Sequence, residues 1–477
     1  MVEYKVSIAL LHTQLASGTL TCVQHVQQYL TNIQANTHLN AFLEVFEAEA
    51  LERAAYLDEL WQQGTHLPLH GVVVGLKDVI SYQGHKLSAA SKILENFTAV
   101  YSATAVERLL QAGAIIIGRQ NCDEFAMGGS NENSAFGKVL NALDNNRVPG
   151  GSSGGSAVSV QANLCQISLG TDTGGSVRQP ADFCGIVGVK PTYGRISRHG
   201  LLAYASSFDQ IGIFSHTVQD AALVLETIAG ADNFDSTALP SAVPPYSQYL
   251  HDTQLQAKRF AYFKQSFEHP SLDTHIKQQF EQLFNDLRRQ GYTVEAVDFP
   301  LLPYVVPTYY VLTTAEASSN LSRYDGVKFG YVHTQAIQSL DEFYKQNRSN
   351  GFGKEVKRRI MLGNFVLSAG YFDAYYTKAQ QVRQLLHTQT QAIFEQFDAI
   401  ISPTVPTPAF PFGEKSASPI DMFLADIFTV HANLVGIPGI SVPKYTHISG
   451  MPFGIQVFTN KEKEAELLAT AAFFEQL

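Results

Sequence analysis

Apolar positions recur at helical spacing along the first sixty residues. Val6, Ala9, Leu10 and Leu15 form one stripe, and Val23, Val26, Leu30 and Ile33 form a second after a break at Ser17–Thr21. Recurrence near 3.6 residues predicts amphipathic helices. A third stretch with Phe42, Val45, Phe46 and Ala50 continues the pattern, so residues 5–60 are expected to be helical. The pattern changes at Pro68. The run Val72-Val73-Val74-Gly75-Leu76 is rich in β-branched residues and has no polar interruption, as in a strand buried on both faces; it ends in Lys77-Asp78. A helical stretch over Thr104–Ala112, stopped by Gly113, leads into a second such run at Ala114–Ile117.

The alternation continues downstream. A small-residue helix over Ser156–Ala162 precedes a strand at Leu164–Leu169, with short extended pieces at Ile186–Val189 and Gly194–Ile196. A helix over Thr217–Ile228 starts on a capping threonine. Thr274–Gln290 and Thr293–Val297 read as helix and strand, residues 314–395 as mostly helical, and Ala399–Ser402 as a strand opening a Pro-rich loop. Met451–Phe458, then a helix from Glu462, closes the chain. Alternating strands and helices predict an α/β fold: a large mixed, mostly parallel sheet covered by helices on both faces. The length prior alone suggests about three domains. Large α/β enzymes often use fewer, and one domain is expected here, with a helical region over about 1–66, a core over about 67–230 and a remainder that completes the sheet.

Composition narrows this picture. With 45% apolar and 16% charged residues the chain has material for a sizeable core. A formal charge of −10 argues against this chain gripping nucleic acid by itself, which takes a basic stripe. The four cysteines (Cys22, Cys122, Cys165, Cys184) form no C-x-x-C pair, so neither a disulfide framework nor a zinc site is expected. There is no basic segment followed by an apolar leader and no apolar run of membrane-spanning length. A cytoplasmic protein without membrane association is expected.

The candidate chemistry lies in Pro149–Pro180, which holds two glycine-serine clusters, Gly150–Ser156 and Thr173–Ser176. Such glycine density suits backbone that approaches something closely: a phosphate, an oxyanion or a packed helix. Neither cluster has the lysine of a P-loop, and the dinucleotide fingerprint is absent. Gly151-Ser152-Ser153-Gly154-Gly155 fits the G-x-S-x-G nucleophile elbow around Ser153, but no downstream histidine stands in a telling context. A third reading joins both clusters. Ser176 acts as nucleophile beside the backbone amides of Thr173, Gly174 and Gly175, which serve as an oxyanion hole. A serine hydroxyl needs a base, and a neutral lysine can supply it. Lys77, at the end of a buried strand, is placed where desolvation lowers a lysine pKa, and Ser152 relays the proton. The bland alternatives are a surface lysine at 77 and a helix N-cap at Ser152. Ser153, Ser156, Asp172 and Arg178 read as structural, the last two as a pair that shapes the loop.

Lys77, GGSSGGS at 150–156 and TDTGGS at 171–176 resemble the amidase signature family, with Ser152 75 positions after Lys77 and Ser176 24 after Ser152. The resemblance implies that Ser176 forms the acyl-enzyme, that Ser152 bridges through a cis peptide and that Lys77 is the base. Longer strings, LSAASKILENF (87–97), FAMGGSNENSAFG (125–137), SRYDGVKFG (322–330), EVKRRIMLG (355–363) and residues 425–443, are similar to the A subunits of glutamyl-tRNA(Gln) amidotransferases. This implies glutamine hydrolysis, with the ammonia used on mischarged Glu-tRNA(Gln) in a partner. B and C subunits are then expected, with ATP and Mg in the partner and no cofactor or metal in this chain. It further implies that Arg359 holds the glutamine carboxylate and Asp426 its ammonium, with Tyr310 nearby; Arg358 and Tyr309 stand one position away. A stand-alone amidase and a non-catalytic assembly scaffold are the alternatives.

Overall fold

A computed structural model of the chain describes residues 6–334, 339–415 and 425–477. Eleven strands form one sheet: β1 (Phe42–Val45), β2 (Val73–Lys77), β3 (Ile115–Gln120), β4 (Ile167–Thr171), β5 (Val187–Lys190), β6 (Ile211–Ser215), β7 (Arg259–Phe263), β8 (Thr293–Val297), β9 (Ala399–Pro403), β10 (Gly439–Thr446) and β11 (Pro452–Phe458). Their order is β1-β3-β2-β4-β6-β5-β10-β11-β9-β7-β8. Every residue of β2, β3, β4, β5, β6 and β9 is buried. Because successive side chains point to opposite faces, both faces of the sheet are covered, as the apolar runs require. The helices Gly154–Gln161, Arg178–Cys184, Val218–Ile228 and Glu464–Gln476 pack on these strands.

The sheet is mixed, but its parallel pairing is confined to the flanks. β3-β2-β4 and β9-β7-β8 run parallel. The six other pairs are antiparallel, so a mostly parallel sheet describes the flanks and not the centre. Parallel neighbours need a long crossover, and the helices Thr104–Gln111 and Thr274–Arg289 supply it on the two flanks. β10 and β11 are joined by residues 447–451 alone, too short for anything but an antiparallel return.

The expected helical start at residue 5 lies outside the described residues; the helices Ile8–Ala16, Cys22–Ala35 and Glu47–Gln62 follow the pattern. Phe42–Val45 is not helical. It is the edge strand β1, paired with β3 and only half-buried, a tertiary pairing that four residues of local pattern do not announce. The pattern likewise does not signal β6 and β10, and Gly194–Ile196 forms no strand beyond a single bridge from Ile196 to Ala229.

The first glycine-serine cluster has a packing explanation. A Cβ on Gly155 would lie 2.3 Å from the Asn121 carbonyl, and one on Gly151 would lie 2.2 Å from Asp123 Oδ2. Only bare backbone lets the Gly154–Gln161 helix and the turn before it settle against the end of β3. Of the three guests weighed for this cluster, a closely packed neighbour is the one found.

Candidate active site

Lys77 is the last residue of β2, and its side chain is fully buried. Nζ donates to Ser152 Oγ at 2.7 Å, Ser153 Oγ at 2.9 Å and Thr171 Oγ1 at 2.7 Å. Three hydroxyl acceptors match the three protons of an ammonium. Burial nevertheless pushes the amine down to about 8, against the opposing influence of nearby Asp123, Asp172 and Asp209. The surface-lysine alternative is therefore excluded. Ser152 follows a cis peptide from Gly151, and its carbonyl accepts the Asp123 amide at 3.0 Å. Its side chain caps no helix: Ser153 holds the N-cap position of Gly154–Gln161 and makes no capping bond there. Ser153 Oγ, besides meeting Lys77, donates to the Thr171 carbonyl at 3.1 Å.

β4 ends at Thr171, and the loop 172–177 leads into Arg178–Cys184 with Ser176 at its crest, nine-tenths buried. The side chains of Asp172 and Arg178, both fully buried, make two contacts: Nε to Oδ2 at 3.1 Å and Nη2 to Oδ1 at 3.0 Å. Burial alone raises a carboxyl, but the Arg178 guanidinium outweighs it and holds Asp172 at about 2. Arg178 also donates to Gln456 and Asn433, both at 2.8 Å. Asp172 Oδ1 accepts the Gly175 amide at 2.8 Å. Gly175, expected among the oxyanion donors, therefore spends its N–H inside the loop. The amides of Thr173, Gly174 and Ser176 meet no acceptor among the described residues. Thr173 Oγ1 donates to Asp209 at 2.8 Å.

Tyr309 and Tyr310 lie on the helix Leu302–Asn320, and Arg359 on Lys354–Leu367, which packs against it. Arg359 is 5% exposed, whereas the Arg358 side chain is 41% exposed. That difference settles which arginine faces inward. Arg359 donates Nε to Glu355 at 2.8 Å and Nη1 to Tyr204 Oη at 2.7 Å, and its guanidinium lies 5.3 Å from the Tyr310 ring centre. Its Nη2 meets no acceptor among the described residues. Burial pushes the Tyr309 and Tyr310 phenols well up, and both feel Asp426 and Arg359. Burial likewise raises Asp426 to about 7, against the pull of Arg359 and Lys415 and with Asp172 and Arg178 within electrostatic reach. The turn from Asp426 to Thr429 and the ring of Tyr309 both reach the Ser176 loop.

The amidase family profile matches residues 24–468. The chain belongs to the amidase family. It is 50% identical over 463 residues to the A subunit of the glutamyl-tRNA(Gln) amidotransferase of Acidobacterium capsulatum, covering 97% of each chain. The crystal structure of the corresponding A subunit from Thermotoga maritima is 37% identical with a TM-score of 0.77, over 95% of this chain and 93% of that one. The peptide amidase of Stenotrophomonas maltophilia is 30% identical with a TM-score of 0.83, over 99% and 97%.

Within this amidase-family chain, four further residues border the site: Thr171 and Thr429 have no role in the sequence reading, Ser153 reads there as structural, and Tyr309 stands only as the neighbour of Tyr310. Ser153 and Thr171 touch the lysine, and their signal is their place inside the GGSSGG and TDTGGS strings. Tyr309 lies against the serine loop: a Cβ on Gly174 would meet its phenol at 2.5 Å. Thr429 does the same on the other side, at 2.2 Å from a Cβ on Gly175. No local pattern marks the last two. Among the described residues, no group of three or more His, Cys, Asp or Glu could hold a metal ion, and no helix is long and apolar enough to cross a membrane.

Proposed function

We propose that the chain is the glutaminase subunit of a cytoplasmic tRNA-dependent amidotransferase, hydrolysing glutamine through Ser176, Ser152 and Lys77. The observation that carries this reading is the buried Lys77 amine, poised near 8 and hydrogen-bonded to Ser152 beside the Ser176 loop. Roughly one molecule in ten carries the neutral amine at pH 7. In that form Nζ takes the Ser152 proton while Ser152 Oγ takes the Ser176 proton. Ser176 Oγ then bonds to the carboxamide carbon. The free amides at 173, 174 and 176 face the oxyanion, an arrangement worth most in a water-excluded site. Collapse breaks the C–N bond, the relayed proton leaves with ammonia, and water hydrolyses the ester to glutamate by the reverse relay. Arg359 and Asp426 hold the carboxylate and ammonium of glutamine beside Tyr310, a bidentate arginine contact suiting the former.

The ammonia passes to one partner subunit, where ATP and Mg would activate mischarged Glu-tRNA(Gln), and the other partner wraps this chain; the acidic balance of this chain agrees with tRNA being held by the partner. Copurification with those subunits, followed by transamidation assays, tests the reading. Ser176→Ala is expected to abolish glutamine-driven amidation and to leave ammonia-driven amidation intact. Persistence of glutamine use in that variant refutes it. The likeness to a peptide amidase favours a second reading, a stand-alone amidase; rapid turnover of peptide amides by the isolated chain, without affinity for partners, would establish that one instead.

A further inference from the structure

The peptide between Gly174 and Gly175 is clamped from both sides. Its carbonyl accepts Thr429 Oγ1 at 2.7 Å, and its N–H is held by Asp172 Oδ1 at 2.8 Å. A peptide unit is planar, with C=O and N–H pointing oppositely, so these two bonds fix the orientation of the whole unit. Gly175 takes φ +125, a conformation open to glycine. With the 174–175 unit pinned, the adjoining N–H groups of Gly174 and Ser176 take their directions from it. Those are two of the three amides in the loop with no partner of their own.

Thr429 also belongs to the substrate side. It closes a turn that begins at Asp426: the Asp426 carbonyl accepts the Thr429 amide at 3.0 Å, the Val430 amide at 3.1 Å and lies 3.0 Å from Thr429 Oγ1. The Thr429 hydroxyl has one proton and two carbonyls within reach, one in the serine loop and one on Asp426. Its side chain is fully buried, so water does not compete for that proton.

We infer that Thr429 is a positioning residue that couples capture of the substrate ammonium at Asp426 to the alignment of the oxyanion amides beside Ser176. The inference rests on the glutaminase reading. An ammonium on the Asp426 carboxylate orders the turn, and the ordered turn commits the Thr429 proton to the Gly174 carbonyl. A carboxamide that lacks the α-amino group leaves the clamp looser and reacts more slowly after binding.

The test compares glutamine with glutaramate, which has the carboxylate and carboxamide but no α-amino group, in the complex of this chain with its partner subunits. Loss of one oxyanion donor lowers turnover by about 10²–10³, and a loosened pair by about 10-fold. Thr429→Val is therefore expected to lower kcat for glutamine about 10-fold with KM within about twofold, and to lower kcat for glutaramate by clearly less. Thr429→Ser, which keeps the hydroxyl, restores the glutamine value. An unchanged kcat in Thr429→Val overturns the inference, as does an equal fall on both substrates or a failure of Thr429→Ser to restore. Ser176→Ala is assayed in parallel. If it still consumes glutamine, the glutaminase reading is what fails, whereas its inactivity beside an unaffected Thr429→Val removes the coupling alone.

Discussion

The pH dependence of Ser176 reactivity tests the lysine most directly. Lys77 falls from an ordinary 10.5 to about 8 because burial strips its ammonium of water. That fall corresponds to about 3 kcal/mol against the charged form. In the proposed relay the base is the neutral amine, so reactivity is expected to rise with pH: roughly a hundredth of the molecules are competent at pH 6, a tenth at pH 7, half at pH 8 and nine-tenths at pH 9. A fluorophosphonate that labels Ser176 reads this without involving the glutamine pocket. Its second-order rate is expected to climb about tenfold from pH 6 to 7, then about fivefold to pH 8, and to level off near pH 9. Lys77→Arg, which cannot deprotonate, flattens the profile and slows labelling by about 10²–10⁴, the span of general-base catalysis. Ser153→Ala removes one acceptor of the ammonium. Losing a charge-assisted bond of about 1.5 kcal/mol moves the rising limb down by about one unit. A wild-type rate that is flat between pH 6 and 9, or a Lys77→Arg rate within tenfold of wild type, refutes Lys77 as the base. The same shift bears on stability with a definite sign. Between pH 8 and 10.5 the unfolded chain holds the Lys77 proton more tightly than the folded one, so this residue makes the fold more stable as pH rises through that window.

Three further outcomes are expected. Arg359→Ala should raise KM for glutamine about 100-fold, since a buried charge-assisted contact is worth about 2–3 kcal/mol, whereas the exposed Arg358→Ala should stay within twofold in the same steady-state assay. Gly175→Ala should lose fluorophosphonate labelling almost entirely, because its Cβ would fall 2.2 Å from Thr429 Oγ1 at a φ of +125; labelling at half the wild-type rate would contradict this. Asp172→Asn leaves the buried Arg178 without its counter-charge, a change that costs about 3–5 kcal/mol, and thermal unfolding should register a drop of several degrees. In the intact protein the Asp172 contribution is present above about pH 4 and disappears as pH falls through about 2, since its folded value lies below the ordinary 3.8.

What is legible in the sequence divides along physical lines. β2, β3 and β4 can be read because strands buried on both faces leave continuous apolar runs, and Lys77 can be placed because it ends one of them. Ser152 and Ser176 are readable because the glycine-rich backbone around them is dictated locally. β1 escapes because a four-residue edge strand exists only through its partner. Thr429 escapes for the same reason, and Tyr309 is reached only as the neighbour of Tyr310: each fills the space that Gly174 and Gly175 leave empty, a relation that spans more than a hundred positions. Gly175 shows the converse error. Local pattern makes it an amide donor, and only the placement of Asp172 reveals that its N–H is already taken.

The buried Arg178 also ties the Ser176 loop to the far end of the chain. Two of its acceptors, Asn433 and Gln456, come from the last tenth of the sequence, and Gln456 sits in the final strand. A chain emerging from the ribosome carries Lys77, Ser152 and Ser176 by residue 176, yet the Arg178 cation beside the Ser176 loop has no complete set of partners until β11 is made and paired. The Ser176 loop is therefore expected to settle as one of the last events of synthesis. Truncated or half-translated chains are expected to lack the settled loop, although they contain Lys77, Ser152 and Ser176.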